Sequence, residues 1–205
     1  MDNYNPFLEQ APAQPRNWFI TILQSLVILT SVGIVLYLFI LSPNQVDGPS
    51  MEPNFYTGEL YFANRLVQWF NGTAVGDITG FKYQRGDVVV LQIPGYPQFI
   101  KRIVGMPGDK ITLRDGRLYI NDKIITEEYL PPALYTRGGD FLEDGGESRI
   151  VPQGSYFVIG DNRPVSYDSR FLGFVRGDWL KGKVFLRFWP GEAFGLIPTG
   201  AITFE

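Results

Sequence analysis

Ser50 stands in Gly48-Pro49-Ser50-Met51-Glu52-Pro53, where a glycine and two prolines stiffen the turn and leave the Ser50 N–H free. A hydroxyl attacks a carbonyl only once a base takes its proton. The 205 residues include no histidine and no cysteine. A Ser-His-Asp triad and a thiolate nucleophile are therefore excluded, and a base for Ser50 must be a lysine or a carboxylate. Lys101 is one candidate. It lies in Phe99-Ile100-Lys101-Arg102-Ile103-Val104-Gly105-Met106-Pro107-Gly108-Asp109, and on a strand it shares a face with Phe99 and Ile103. An amine on an apolar face loses hydration, its pKa falls, and the neutral form becomes a general base. A third segment, Gly160-Asp161-Asn162-Arg163-Pro164-Val165-Ser166-Tyr167-Asp168-Ser169-Arg170, follows an apolar run. There Asp168 and Arg170 are spaced to pair, and Ser166 is available to hydrogen-bond a lysine amine. Each segment alone also has a plain reading: a serine in a Pro/Gly loop, a charged edge-strand lysine, a turn capped by Asx and Ser side chains.

Composition narrows the chemistry. Without His or Cys, zinc, haem and iron–sulfur centres are not expected, and neither a metal nor another cofactor is called for. A net charge of −3 gives no reason to expect nucleic acid. With 23 Gly, 15 Pro and 15% aromatic residues, the chain reads as turn-rich β structure.

The elements that must position these groups begin with an uncharged run, Trp18 to Leu41. At about 1.5 Å per residue its 24 residues cross a bilayer core as one helix with some tilt. A cleaved signal peptide is the alternative, but the run exceeds a signal core and lacks an Ala-X-Ala site after it. Arg16 before it, with Asp47 and Glu52 after it, favours an N-terminus inside and the large domain outside. The 9 residues from Leu41 to Ser50 extend to at most about 30 Å, keeping Ser50 near the membrane surface. Three parts are expected: a disordered cytosolic tail (1–17), a transmembrane helix (18–41) and an extracytoplasmic domain (42–205).

Within that domain, apolar runs predict strands at 87–91, 99–104, 155–159 and 183–188. Asp115-Gly116 predicts a hairpin between 111–113 and 118–120. No long amphipathic helix follows the apolar run. The expected class is mainly β, with a β-rich catalytic domain and a β insertion at about 109–153.

Taken together and in this order, the three segments resemble those of the type I signal peptidases, the bacterial leader peptidases. The resemblance runs from about Val46 to Pro190. It implies a membrane-bound serine endopeptidase that removes signal peptides from exported preproteins after Ala-X-Ala, through an acyl-enzyme. Ser50 would be the nucleophile and Lys101 the general base. Ser166 would orient the amine, Asp168 and Arg170 would form a supporting ion pair, and Asp161 and Asn162 would support the site. Met51 and Ile100 are candidate walls for the substrate's small side chains. Implied partners are preprotein signal peptides and membrane lipid, and the implied place is a bacterial cytoplasmic or internal membrane, crossed once.

Gly48 departs from relatives that carry Ser or Thr two residues before the nucleophile, and Pro49 has no N–H to offer. These departures keep a second reading open, a catalytically silent relative that binds signal peptides or partner proteins. Phe55-Tyr56 and Trp69-Phe70 are either bilayer contacts or core.

Overall fold

The structure, a computed structural model, describes residues 17–37, 41–132 and 134–205. The tail expected over 1–17 lies, apart from Asn17, outside them. The chain divides into two compact units, Met1–Tyr37 and Leu38–Glu205.

Among the described residues the first unit holds one helix, α1 (Trp18–Val35). Asn17 caps it by accepting the Phe19 N–H. Two of its hydroxyls bond within the helix: Ser25 Oγ donates to Thr21 O and Thr30 Oγ1 to Leu26 O, both at 2.9 Å. These bonds fold two hydroxyls back onto the helix's own carbonyls, which suits a lipid environment. Its 18 residues are long and apolar enough to cross a membrane. Leu41, the last residue of the apolar run, is not helical. Its backbone pairs with Asn64, so it opens a strand instead.

The second unit is built of two antiparallel sheets. In chain order its elements are β1 (Leu41–Gln45), β2 (Leu60–Asn64), α2 (Leu66–Phe70), α3 (Ala74–Thr79), β3 (Val88–Gln92) and β4 (Gln98–Gly105). Next come β5 (Lys110–Arg114), β6 (Arg117–Ile120), β7 (Lys123–Glu127), β8 (Arg149–Ile150) and β9 (Ser155–Ile159). The chain closes with α4 (Ser169–Leu172), β10 (Val175–Arg176), β11 (Leu180–Trp189), β12 (Gly195–Leu196) and β13 (Ile202–Phe204). The larger sheet has the order β1-β2-β11-β3-β4-β9-β10, with β12 on β11; the smaller runs β13-β7-β6-β5-β8.

The hairpin at Asp115-Gly116 forms because both residues take positive φ, 50° and 69°, the geometry of a two-residue turn between right-twisted strands. The next turn, Asn121-Asp122, uses the same device at 55° and 65°.

Strand β4 threads the whole core. Ile100 packs with Met51, Phe55, Val88 and Val90. Ile103 packs on the opposite side with Val89, Leu91 and Val158. Val104 joins Ile111, Leu113 and Phe157 beneath the smaller sheet. Gly105 allows this crossing, since a Cβ there would lie 2.7 Å from Phe157 Cβ. Phe55 is core rather than a bilayer contact, whereas Tyr56 and Trp69 are exposed.

Candidate active site

The Ser50 turn is fixed from outside. After β1, Val46 N–H donates to Glu59 O at 2.8 Å, and Gly48 bends the chain with φ 85°. The Asn162 N–H donates to Ser50 O and the Asn162 Nδ2 to Pro49 O, both at 3.1 Å. Met51 anchors the turn: it is fully buried beside Ile100, and its carbonyl accepts the Phe55 N–H at 2.9 Å. The Ser50 N–H donates to no group among the described residues. The segment from Gly160 approaches so closely that a Cβ on Gly160 would lie 2.2 Å from Ser166 Oγ and 2.5 Å from Ser50 O. Only glycine fits there.

Lys101 reaches Ser50 from β4. Its Nζ lies 2.7 Å from Ser50 Oγ and donates to Ile100 O at 2.9 Å. The side chain is 3% exposed. Burial lowers the amine's pKa from 10.5 to about 8, with Asp168 and Asp161 pulling it partly back up. A neutral amine within hydrogen-bond reach of a hydroxyl can remove its proton.

Around this pair lies a buried framework of ion pairs. Arg170 grips Asp168 through Nε (2.9 Å) and Nη2 (2.9 Å) and also donates to Arg163 O and Ser166 O. Asp168 Oδ2 accepts the Gly160 N–H at 3.0 Å, which ties the ion pair to the glycine facing Ser50. Asp161 is held by Arg102, Nε to Oδ1 at 2.9 Å and Nη2 to Oδ2 at 2.6 Å, and Asn54 Nδ2 donates to it at 2.9 Å. Arg163 donates to Gly160 O and to both oxygens of Glu127.

Every residue singled out from sequence falls in this region. One expected contact is not formed: Ser166 Oγ is buried beside Gly160 with no hydrogen-bond partner, and Lys101 Nζ is engaged by Ile100 O and Ser50 instead. Arg102, Arg163, Glu127 and Tyr129 went unmarked by the sequence reading. Arg102 and Arg163 sit inside two of the quoted segments, and an arginine within a buried strand is itself a sign of a buried partner. Glu127, 36 residues from Arg163 in the chain, carries no such signal.

Comparison with known proteins identifies the family. The family described as "Signal peptidase, peptidase S26" matches residues 16–189. The signal peptidase IB of Staphylococcus aureus strain COL is 35% identical over 190 residues, covering 86% of this chain and 91% of the relative. The signal peptidase I of Bacillus caldolyticus is 36% identical over 183 residues, with the same coverages. A crystal structure of a signal peptidase I from Enterococcus faecalis V583 is 32% identical and covers 50% of this chain and 96% of its own, with a TM-score of 0.42. A match over most of the length, with an apolar helix followed by a serine and a lysine in contact, leaves one assignment: the chain belongs to the signal peptidase family, peptidase S26, and is a hydrolase of peptide bonds.

Proposed function

We propose that the chain is a membrane-anchored Ser/Lys endopeptidase that removes signal peptides from exported preproteins after Ala-X-Ala. The observation that carries the reading is the 2.7 Å contact between Ser50 Oγ and a desolvated Lys101 Nζ. Neutral Lys101 takes the Ser50 proton, and Ser50 Oγ attacks the carbonyl before the scissile bond. The unengaged Ser50 N–H donates to the developing oxyanion. The C–N bond breaks, the proton passes from Lys101 to the leaving amine, and an acyl-enzyme remains on Ser50. A water activated by Lys101 then releases it.

The substrate binds as an added strand. Over Gln98–Ile100, β4 pairs with β3 on one edge, while β9 begins only at Arg102 on the other. That leaves backbone groups for an extended peptide among the described residues. Met51 and Ile100, packed together beside the Ser50 turn, are the walls this reading gives to the small side chains at −1 and −3. Asp161, Asn162, Ser166, Asp168 and Arg170 hold the Ser50 turn and the Lys101 surroundings. The apolar helix anchors the chain, the N-terminus is cytosolic, and the domain from 42 to 205 works at the outer membrane–water boundary.

The test is detergent-solubilised protein with a preprotein bearing one Ala-X-Ala site, beside Lys101→Ala, with the product N-terminus sequenced. A cut directly after the final Ala, absent in the variant, is the expected result. Binding of the preprotein without any cut would overturn the reading in favour of a silent binding module.

A further inference from the structure

Two free edges of the larger sheet meet at a pair of amides. β1 is an end strand, bonded among the described residues to β2 alone. β4 is unpaired over Gln98–Ile100 on the edge away from β3. In the sheet order β2, β11 and β3 stand between these strands. Yet Gln98 Nε2 donates to Asn44 Oδ1 at 2.9 Å. The sheet therefore curls until the two edges face each other. A strand placed between two others takes up two spacings of about 4.8 Å each. A glutamine and an asparagine joined tip to tip reach across such a gap.

The bridge lies on the inner side of the gap. Asn44 stands directly opposite Tyr61, which packs in the core with Val46, Met51 and Ile100. Directly opposite residues share a face. Gln98 is two residues from Ile100, and alternate residues of a strand share a face as well. The inner side thus carries two rungs. Val46, Met51 and Ile100 make an apolar one beside the Ser50 turn. Gln98 and Asn44 make a polar one, two residues further along β4 from Lys101.

An extended peptide has the same period: its side chains at −1 and −3 point to one side, about 6.6 Å apart. The proposed reading seats the signal segment on the Gln98–Ile100 edge, with its scissile carbonyl at Ser50. Met51 and Ile100 then wall −1 and the near side of −3, and the far side of −3 rests on Gln98 and Asn44. Resting on the Ser/Lys peptidase reading, we infer that Gln98 and Asn44 are specificity-determining residues for the −3 position, selecting a hydroxyl side chain over an apolar one of the same size. The Gln98 amide has two N–H groups and an acceptor oxygen. One N–H goes to Asn44, and the amide has no other partner among the described residues. What remains bonds a hydroxyl at −3. An apolar side chain there covers the amide and takes its water without replacing it, which costs affinity.

The experiment uses the full chain in detergent and signal peptides differing at one position, Thr against its isostere Val at −3 and Ala against Ser at −1. In the parent chain kcat/KM for Thr at −3 exceeds that for Val by about twofold to tenfold, the range of one net hydrogen bond. In Gln98→Met/Asn44→Leu, which removes the amides at similar length, Val is cut at least as well as Thr, while the Ala-to-Ser ratio at −1 keeps its parent value. Gln98→Asn/Asn44→Gln, which exchanges the long and the short amide, restores the preference for Thr. Each ratio is taken within one variant, so a change in overall rate cancels. For a variant that does not turn over, affinities of the same peptides for that chain carrying Ser50→Ala in addition give the ratio. A parent chain that cuts without preferring Thr, or an amide-free variant that keeps the preference, would overturn the −3 assignment and leave the dyad reading standing. A parent chain that cuts none of the peptides would overturn both.

Discussion

Lys101 and Arg102 are adjacent on β4, point to opposite faces and are equally buried, each 3% exposed. Their surroundings differ in one respect. Arg102 meets a carboxylate: two hydrogen bonds join it to Asp161, Nη1 donates to Gly86 O at 2.8 Å, and the Tyr129 ring lies 3.8 Å from its guanidinium carbon. Burial works against the Arg102 charge, but the Asp161 hydrogen bonds and charge more than offset it and raise its pKa. Lys101 has no carboxylate at ion-pair distance among the described residues, only Ser50 Oγ and Ile100 O. Burial wins there, and the amine falls to about 8. Two neighbouring cations under the same desolvation thus take different fates because one has a counter-charge and the other does not. The paired one is tied into the fold; the unpaired one is, on the proposed reading, the group that carries the proton.

The most severe way to break this division is to remove the proton carrier. Ser50→Ala or Lys101→Ala should lower kcat/KM for a preprotein by at least about 10⁴-fold, with the circular dichroism spectrum unchanged. Lys101→Arg should be equally inactive, since a guanidinium does not give up its proton at any working pH. A Lys101→Arg enzyme with measurable turnover would sink the assignment of Lys101 as base. On the other face, Arg102→Met leaves Asp161 buried and unpaired. It should cost about 3–5 kcal/mol in denaturant unfolding, and a loss below about 1 kcal/mol would mean that water reaches Asp161.

The division between the two faces was only half legible in the sequence. Ser50, Lys101 and the Gly160–Arg170 segment each had a plain reading alone; it was their order, and its resemblance to the signal peptidases, that singled them out. The strands at 155–159 and in the hairpin around Asp115-Gly116 were legible because apolar runs and a positive-φ turn are local signals. β1 was not foreseen: Leu41 was assigned to the transmembrane helix, Leu-Ser-Pro-Asn-Gln has no strand pattern, and Pro43 marks it as an edge that only pairing with β2 stabilises. β13 has three residues and exists through pairing with β7, some 75 positions earlier. The same distance problem hid Glu127 behind Arg163 and Asn54 behind Asp161. Phe55 illustrates the limit on single residues, since a Phe-Tyr pair in a loop does not say which ring turns inward. Ser166 shows that a right type in the right place still need not make the expected bond, because Lys101 Nζ satisfies itself on Ile100 O.

A smaller effect sharpens the comparison through stability. Below pH 8 Lys101 is charged both folded and unfolded, and folding bears the full penalty of burying the ammonium. Between about 8 and 10.5 the unfolded chain holds a proton that the folded chain has shed, so stability rises with pH; above 10.5 the penalty is gone. The drop from 10.5 to about 8 corresponds to about 3 kcal/mol. Lys101→Met, inactive, should therefore be up to about 3 kcal/mol more stable than the parent at pH 6–7. The difference should shrink steadily between pH 8 and 10.5. Equal stability at pH 6 would show that Lys101 is hydrated after all.

The faintest effect tests whether the two faces are coupled. The charge of Asp161, though bound to Arg102, raises the Lys101 pKa, as Asp168 does more strongly from the other side. In the parent chain kcat/KM should climb through an acid limb near pH 8 as Lys101 loses its proton. Asp161→Asn removes a negative charge and leaves the positive charge of Arg102 uncompensated. Both changes disfavour the ammonium form, so the acid limb should move to lower pH. The shift must be smaller than the displacement from 10.5 that burial itself produces, because burial is the larger cause. The position of the limb is independent of how much active enzyme remains, so the measurement survives a loss of stability in the variant. A limb that stays in place would mean that Arg102 screens Asp161 completely, and a limb that moves upward would mean that Lys101 has gained water. A downward shift would show that the ion pair on the structural face sets the working pH of the base on the other.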